Sequence, residues 1–477
     1  MSIFQKIKKT FGIISAFYKY AGAKPSPRRP WVQHTLQDAH IDINGTERRI
    51  LVERSRELER DNPYWSKFLD IHEHYTIGKG ISLTPQSSDP EFNAFIKEKW
   101  TEWSRHPFVD SDLTLEEGER MLARAVACDG DQFIIKCGSR RNPMLQVVEC
   151  QRVATPDVQN ENIIDGIEVD ALGNKIAYYI RREISNGIKA QRYQRILADQ
   201  VIHVFNPARF GQLRGLPLCT NVINDLIDLT ILHTCEMDAA KFNSATSAVW
   251  KTTGSGLDAD ENPFGGGSSE SGESIEERQS RIENILGGRV LRIDDNESLV
   301  PYIASRPTTV TQEYWEFLLK KISAGIGYSD LLIFPRSVQG TVVRANLETT
   351  AAHLRAEHEV YANAIKAVFQ WFAGCYASRT NASDWWKCTT QPPRSPIVDI
   401  ERNSNAIIEE TRNGIRSMTA NCAELGRSFE DVLREKAQDS LLIKKVSQET
   451  GIPERDLISS SIGVFAGNLP KEESNNE

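Results

Sequence analysis

The chain has 477 residues, of which 40% are hydrophobic, 26% charged and 8% aromatic, a composition that supports about three structural units and excludes a disulfide-stapled miniprotein or a wholly disordered chain. Its 57 basic and 65 acidic residues leave a formal charge of −8, which excludes a broad basic face that wraps nucleic acid and leaves only weak or local DNA contact open. No uninterrupted apolar run reaches the roughly 18 residues that a membrane-spanning helix needs.

In chain order, residues 1–24 set Ile3, Phe4, Ile7, Phe11, Ile14 and Phe17 among Lys6, Lys8, Lys9 and Lys19. This predicts a basic amphipathic helix, docked or solvated, with peripheral membrane contact and targeting as the alternatives. A secretory signal is disfavoured by the short apolar stretches and the lack of an Ala-x-Ala site. Pro25, Pro27 and Pro30 then form an extended linker. Residues 47–75 predict two helices divided at Asp61-Asn62-Pro63, where Pro63 suits a first helical turn. His72-x-His74 has no second ligand pair for zinc and reads as a polar helix end. Gly78-Lys79-Gly80 reads as a turn. Phe92, Phe95, Ile96, Trp100 and Trp103 recur at helical steps and predict one buried aromatic face.

Between residues 132 and 205 the pattern changes to short β-branched runs at 133–135, 145–148, 176–180 and 201–205, which predict strands, with Gly173-Asn174 as a tight turn. Asp129-Gly130-Asp131 reads as a turn beside a strand rather than a magnesium site. The body is therefore expected to be mixed α+β.

Residues 221–247 predict a helix whose apolar residues surround it nearly completely at Leu226-Ile227 and 229–232, so that more than one side needs a protein neighbour, a second subunit being one choice. Residues 254–272 are a Gly/Ser-rich loop, and eight acidic against two basic residues give 254–286 a charge of −6. Residues 290–306 are expected to be extended. A second helix opens at Pro307-Thr308 and stops at Gly325 and Gly327. A third runs from about 341 to 374, with Leu347, Ala351, Leu354, His358, Tyr361, Ile365, Val368 and Phe372 spaced 4-3-4-3-4-3-4, a rod of roughly 50 Å. After Pro392-Pro393 and Pro396, helical segments are expected near 406–415, 429–436 and 440–450, and the tail from Lys471 is polar.

The chemistry-bearing motifs are missing: no phosphate-cradling Gly-x-x-x-x-Gly-Lys-Ser/Thr, no Gly-x-Ser-x-Gly elbow and no His-Glu-x-x-His pair. The eight cysteines include no Cys-x-x-Cys pair and fit reduced thiols. No catalytic set, metal or cofactor is expected.

The order of elements, an α+β body, a helix, an acidic excursion, a second helix, a Gly/Pro loop and a long third helix, resembles the lambda-type family of tailed-phage portal proteins. The words that carry the resemblance are Asp61-Asn62-Pro63-Tyr64, Gly78-Lys79-Gly80-Ile81, Trp100-x-x-Trp103, Asp129-Gly130-Asp131-Gln132-Phe133, Leu145-Gln146-Val147-Val148-Glu149, Gly166-Ile167-Glu168-Val169-Asp170 and His203-Val204-Phe205. The most specific is Arg209-Phe210-Gly211-Gln212-Leu213-Arg214-Gly215-Leu216-Pro217, followed later by Val398-Asp399, Gly414-Ile415-Arg416-Ser417 and Glu424-Leu425-Gly426. Together they cover about residues 45–455. Two departures are Phe210, where the family usually has proline, and Val338-Gln339-Gly340-Thr341-Val342-Val343 before Arg344-Ala345, where it tends to an Asn-Tyr-Ser-Ser-like stretch.

The resemblance implies a ring-forming portal-type fold: an N-terminal helix at 1–24, a wing at 25–219, a first stem helix at 220–247, a clip at 248–307 and a second stem helix at 308–327. A tunnel loop at 328–340, a long helix returning to the wing at 341–378 and a helical crown with a polar tail at 379–477 complete it. It implies a dodecamer at one capsid vertex, a channel for double-stranded DNA, and docking of the large terminase subunit, head-completion or adaptor proteins, and a capsid or scaffold protein. The location would be the virion vertex, and the host cytoplasm during assembly. Arg336, Ser337, Gln339 and Thr341 would touch DNA transiently; Gly325, Gly327, Pro335 and Gly340 would set the flexibility of that loop; Glu270, Glu273, Glu276, Glu277 and Glu283 would face the terminase or adaptor. A metal-dependent DNA-processing enzyme and a non-viral coiled-coil adaptor are the alternatives, separated by divalent-ion-dependent activity on DNA and by the presence of closed rings.

Overall fold

The computed structural model describes residues 37–156, 162–182, 192–245, 248–251, 290–293, 309–334, 340–393, 400–425, 427, 429–454 and 457. The expected N-terminal helix and the acidic loop, including Glu270, Glu273, Glu276, Glu277 and Glu283, lie outside these residues.

After a short α1 (Ala39–Asp42), Asn44 caps α2 (Gly45–Asp61) by accepting from the Glu47 N–H at 2.8 Å. Asn62 ends that helix and caps the next, α3 (Pro63–Thr76), accepting from the Tyr64 and Trp65 N–H groups, both at 3.0 Å, with Pro63 in the first turn. The strand β1 (Ser82–Pro85) precedes α4 (Pro90–Trp103), and a Thr114–Glu117 capping box starts α5 (Leu115–Asp129). Gly130 stops α5 at φ +94; a side chain there would meet the Leu216 carbonyl carbon at 2.5 Å, so only glycine lets these two backbones touch.

The strands β2 (Asp131–Ser139) and β3 (Asn142–Glu149) form a hairpin, followed by β4 (Ile163–Ile164), β5 (Ile167–Val169), β6 (Lys175–Arg182), β7 (Arg192–Leu197) and β8 (Val201–Phe205). Two antiparallel sheets result, one ordered β3-β2-β8 and the other β4-β5-β6-β7. All four strand runs expected from the sequence are strands, and Gly173 makes the expected tight turn at φ +84. Phe133 and Val148 of the first sheet and Ile167, Tyr178 and Ile180 of the second share one core.

Two helices, α6 (Ile223–Ala245) and, after the parallel pair β9 (Ala248–Lys251) and β10 (Val290–Ile293), α7 (Thr309–Ile326), pack together as a hairpin. They are joined by a Lys321–Asp225 ion pair at 2.6 Å and a His233–Trp315 ring contact at 5.7 Å. The 35-residue α8 (Gly340–Gly374) follows, about 50 Å long. All eight residues of its expected 4-3 stripe are buried. Leu354 enters the core shared with the hairpin, Tyr361, Ile365 and Val368 the core over α5 and β2, and Phe369 and Phe372 the aromatic core of α4, where Trp100 meets Phe369 at 5.5 Å and Trp103 meets Phe372 at 4.9 Å. The long rod is thus the spine on which three cores are assembled.

The strand β11 (Cys388–Gln391) then returns to pair antiparallel with β1, Ser82 opposite Gln391. The helices α9 (Ile400–Arg412), α10 (Met418–Glu424) and α11 (Phe429–Thr450) complete the described chain. The two segments expected at 429–436 and 440–450 form one continuous helix: Ala437, Gln438 and Asp439 are compatible with helix, and no glycine or proline interrupts them. Among the described residues no helix is long and apolar enough to cross a membrane.

Candidate functional site at the turn that ends the helical hairpin

The hairpin stands on α3. Trp65, Phe68, Leu69 and Ile71 form one core with Ile223, Leu226 and Leu229 of α6 and Leu318, Ile322 and Ile326 of α7. Asn62 adds a polar tie, donating from Nδ2 to Leu226 O at 3.2 Å and to Thr230 Oγ1 at 2.9 Å. One residue therefore ends α2, starts α3 and fixes α6. Gly325, one of the expected hinges, is closely packed in this conformation. It lies inside α7, and a Cβ would stand 2.3 Å from Val222 Cγ1.

Gly327 ends α7 at φ +91, with the N–H groups of Gly327 and Tyr328 both donating to Ser323 O at 2.8 and 3.2 Å. A side chain at Gly327 would lie 2.9 Å from His353 Nε2. Here too glycine lets two elements touch, and its positive φ is one that a side chain would strain. The chain then turns Tyr328 into the body, where it is 2% exposed. Its hydroxyl lies 2.5 Å from His72 Nδ1, and His72 Nε2 lies 2.6 Å from the Tyr361 hydroxyl. Tyr361 donates onward to Ala123 O at 3.4 Å, so it accepts from His72 Nε2–H, and Nδ1 accepts from Tyr328. This relay ties the end of the hairpin to α3, α8 and α5. His72, expected to be a polar helix end, is instead 1% exposed and wholly engaged by two hydroxyls.

The next residues continue the clamp. Ser329 N–H donates to Thr350 Oγ1 at 3.0 Å, a 3₁₀ turn covers Asp330–Leu332, and the Phe334 and Tyr64 rings meet at 5.9 Å. The expected loop of 328–340 is consequently anchored through Phe334. Pro335, Arg336, Ser337 and Gln339 lie outside the described residues. Gly340 is the first residue of α8, and Thr341 follows it, exposed on the first turn.

A second centre explains Arg209–Pro217. Arg214, 3% exposed, donates from Nε and Nη2 to the two Asp131 oxygens at 2.6 and 3.1 Å, and to Val153 O, Asp165 O and Cys150 O at 3.1, 2.7 and 2.9 Å. Burial alone would raise the Asp131 carboxyl, but Arg214 and His203 hold it well below the ordinary range. Lys175 donates to His203 Nδ1 at 2.9 Å, and His203 Nε2 faces Asp131 Oδ2 at 3.3 Å. Asp129 is taken by Arg56, with two contacts at 2.7 Å. Both carboxylates of the Asp-Gly-Asp turn are therefore claimed by arginines. Among the described residues no group of His, Cys, Asp and Glu is placed to hold a metal.

Burial pushes His72 down to about 3, with His353 adding to it, and His203 down to about 4 despite Asp131. Between those values and about 6.5 the unfolded chain binds protons that the native chain does not, so stability falls as pH drops through this window and is full above it. Going from pH 7 to 5 is expected to cost about 2 kcal/mol per histidine. Thermal melts at the two pH values check this; equal stability contradicts the neutral buried state of both rings.

What these residues build is a structural subunit: an α+β body that clamps a helical hairpin and engages its strongly shifted ionisable groups internally. The chain belongs to the lambda family of phage portal proteins, whose profile matches residues 28–334; that family is structural and non-enzymatic. Portal protein B of Escherichia phage lambda is 19% identical over 442 residues, 81% of this chain and 83% of that protein. The probable portal protein of Halomonas phage phiHAP-1 is 22% identical, covering 84% of this chain and 81% of its own. The portal protein of Escherichia phage N15 is 21% identical over 58% of this chain and 59% of its own. Among solved structures, the neck of an empty gene transfer agent particle computed with C6 symmetry aligns at 14% identity and TM-score 0.43, over 82% of this chain and 97% of that one. The neck of the native particle computed with C12 symmetry aligns at 13% identity and TM-score 0.41, over 78% and 93%.

The sequence reading weighs His72 for zinc, sets Tyr361 on the buried stripe of the long helix and reads Asp131 as part of a turn, but joins none of them to Tyr328 or Arg214. Only the resemblance-bearing words at 129–133 and 209–217 point near the Arg214–Asp131 pair.

Proposed function

We propose that twelve copies of this chain close into a ring at one vertex of a tailed-phage capsid, through which double-stranded DNA passes during packaging and ejection. The hairpin of α6 and α7 is the stem, residues 248–307 the clip, and 335–340, with Thr341 just beyond, the part of the tunnel loop that meets DNA. The observation that carries this beyond family membership is the charge of the hairpin: Asp225, Asp228, Glu236, Asp238, Glu313 and Glu316 stand against Lys241, Lys320 and Lys321, with no arginine. DNA presents a charge about every 1.7 Å of axis, and a cationic bore would hold it. An acidic stem does not. Arg336, Ser337, Gln339 and Thr341 are then the few groups able to touch phosphates without reading sequence. Assembly takes place in the host cytoplasm before incorporation into the virion.

Negative-stain imaging and mass photometry of purified protein test the ring: annular particles with a central hole support it, and a species of one or two copies overturns it. The acidic clip is the proposed docking face for the large terminase subunit and later for head-completion proteins. Exchanging Glu270, Glu273, Glu276, Glu277 and Glu283 for lysine is expected to weaken terminase binding about tenfold or more, measured by titration at fixed salt. Unchanged affinity moves the docking face elsewhere.

A further inference from the structure

Residues 206–211 are exposed and residues 212–215 buried, so the connection from β8 to α6 passes from surface to core within one peptide. At its surface end the Phe210 ring is fully exposed, at 106%. An exposed phenylalanine on a mobile tip calls for no explanation. This tip is built. Gln212, 7% exposed, accepts from the Ala208 and Arg209 N–H groups at 2.9 and 3.3 Å and donates to Arg214 O at 2.8 Å. Gly211 adopts φ +78. Arg209 reaches from the tip to the Asp42 carboxylate and to Gln37 O at 3.1 Å, tying down α1, whose Ile41 is a second half-exposed apolar side chain. Below the tip, a Cβ on Gly215 would lie 1.9 Å from Gly130 O, and Arg214 is locked on Asp131. Among the described residues nothing covers the ring, and the backbone beneath it is fixed.

We propose that Phe210 is an anchor between neighbouring copies of this chain, taken up by the adjacent subunit of the ring; the inference rests on the ring reading above. Area selects the occupant. A phenylalanine contributes about 150–250 Å², whereas a specific contact needs about 800 Å² per partner, so whatever covers Phe210 is held by other contacts as well. The neighbouring copy has them. The same connection enters α6 at Ile223, and the hairpin leaves Ile231, Met237, Tyr314 and Phe317 about half exposed or more. A ring contact is heterologous, one face of each subunit meeting a different face of the next. An anchor rigidly tied to the body beneath the stem is therefore placed in register with the stem contacts of every copy.

The test places the photo-crosslinking residue p-benzoylphenylalanine at position 210 of the full chain and assembles rings from an equal mixture of ¹⁵N-labelled and unlabelled protein. Mixed heavy–light crosslinked peptides are expected. Phe210→Ser is expected to raise the concentration at which rings form by about tenfold or more, with Phe210→Leu intermediate and the thermal unfolding of the unassembled chain unchanged. Crosslinks confined to one isotopic species, which place the chain's own residues 1–24 or another internal segment over Phe210, overturn the proposal. So do crosslinks that need a different head protein, or a serine variant that assembles at the wild-type concentration. If wild-type protein forms no rings, the portal-ring reading itself fails; rings indifferent to Phe210→Ser remove only the anchor.

Discussion

Arg214→Ala is expected to lower the unfolding free energy by about 3–5 kcal/mol, because it leaves a buried carboxylate without its cation. Asp131 is 0% exposed and receives three donors from this one region: Arg214 Nε, Arg214 Nη2 and the Gly215 N–H at 3.1 Å. Lysine at 214 recovers only part of the loss, since an ammonium cannot span both carboxylate oxygens and three carbonyls. Adding Asp131→Asn to Arg214→Ala is expected to cost less than the sum of the single changes, the signature of a directly coupled pair. Urea titrations of the four proteins measure it. A single variant within about 1 kcal/mol of wild type shows that the node is dispensable.

Gly327→Val is expected to separate assembly from DNA handling. A β-branched residue at φ +91 costs about 1–2 kcal/mol in backbone strain alone, and its Cβ would enter the space of His353 Nε2 at 2.9 Å. Tyr328 then leaves His72, and residues 329–334 lose their hold on Thr350 and Tyr64. Rings are expected to persist, because Ile223, Leu226, Leu229, Leu318 and Ile322 keep their packing on α3 when Tyr328 leaves that core, while genome packaging or retention drops sharply. Shortening 336–340 should have the same phenotype by the opposite route, removing the tip while leaving its base. Normal packaging in both variants takes the loop out of the mechanism.

The body was legible where burial follows local periodicity. The 4-3 stripe of α8 reports one covered face, and the β-branched runs of β2, β3, β6 and β8 report burial, on both faces in the first half of β2; chain-local patterns record that directly. β7, with Arg192, Arg195 and Gln194 among its six residues, and β11, Cys-Thr-Thr-Gln, carry no such pattern, because their pairing is supplied by a partner strand. The clamp was hidden for a related reason. His72 and Tyr328 are 256 positions apart, Asp131 and Arg214 83 apart; polar residues brought together at that separation look in sequence like any exposed pair. Gly325 and Gly327 were visible as a helix stop, but whether a glycine frees the backbone or lets two elements touch depends on its neighbour, here Val222 and His353.

The ladder that sets Ser82 against Gln391 also dictates a schedule. A ribosome adding about 5–20 residues each second releases the first strand long before the second, and the closure between them spans roughly 300 residues of nascent chain. Within that interval there is a stage, after Ile326 and before Gly340, at which both hairpin helices are made while the rod that will brace them is absent. A polypeptide that stops before Gly340 thus carries the helical pair without its brace, and one that stops before Cys388 leaves the first strand without its partner.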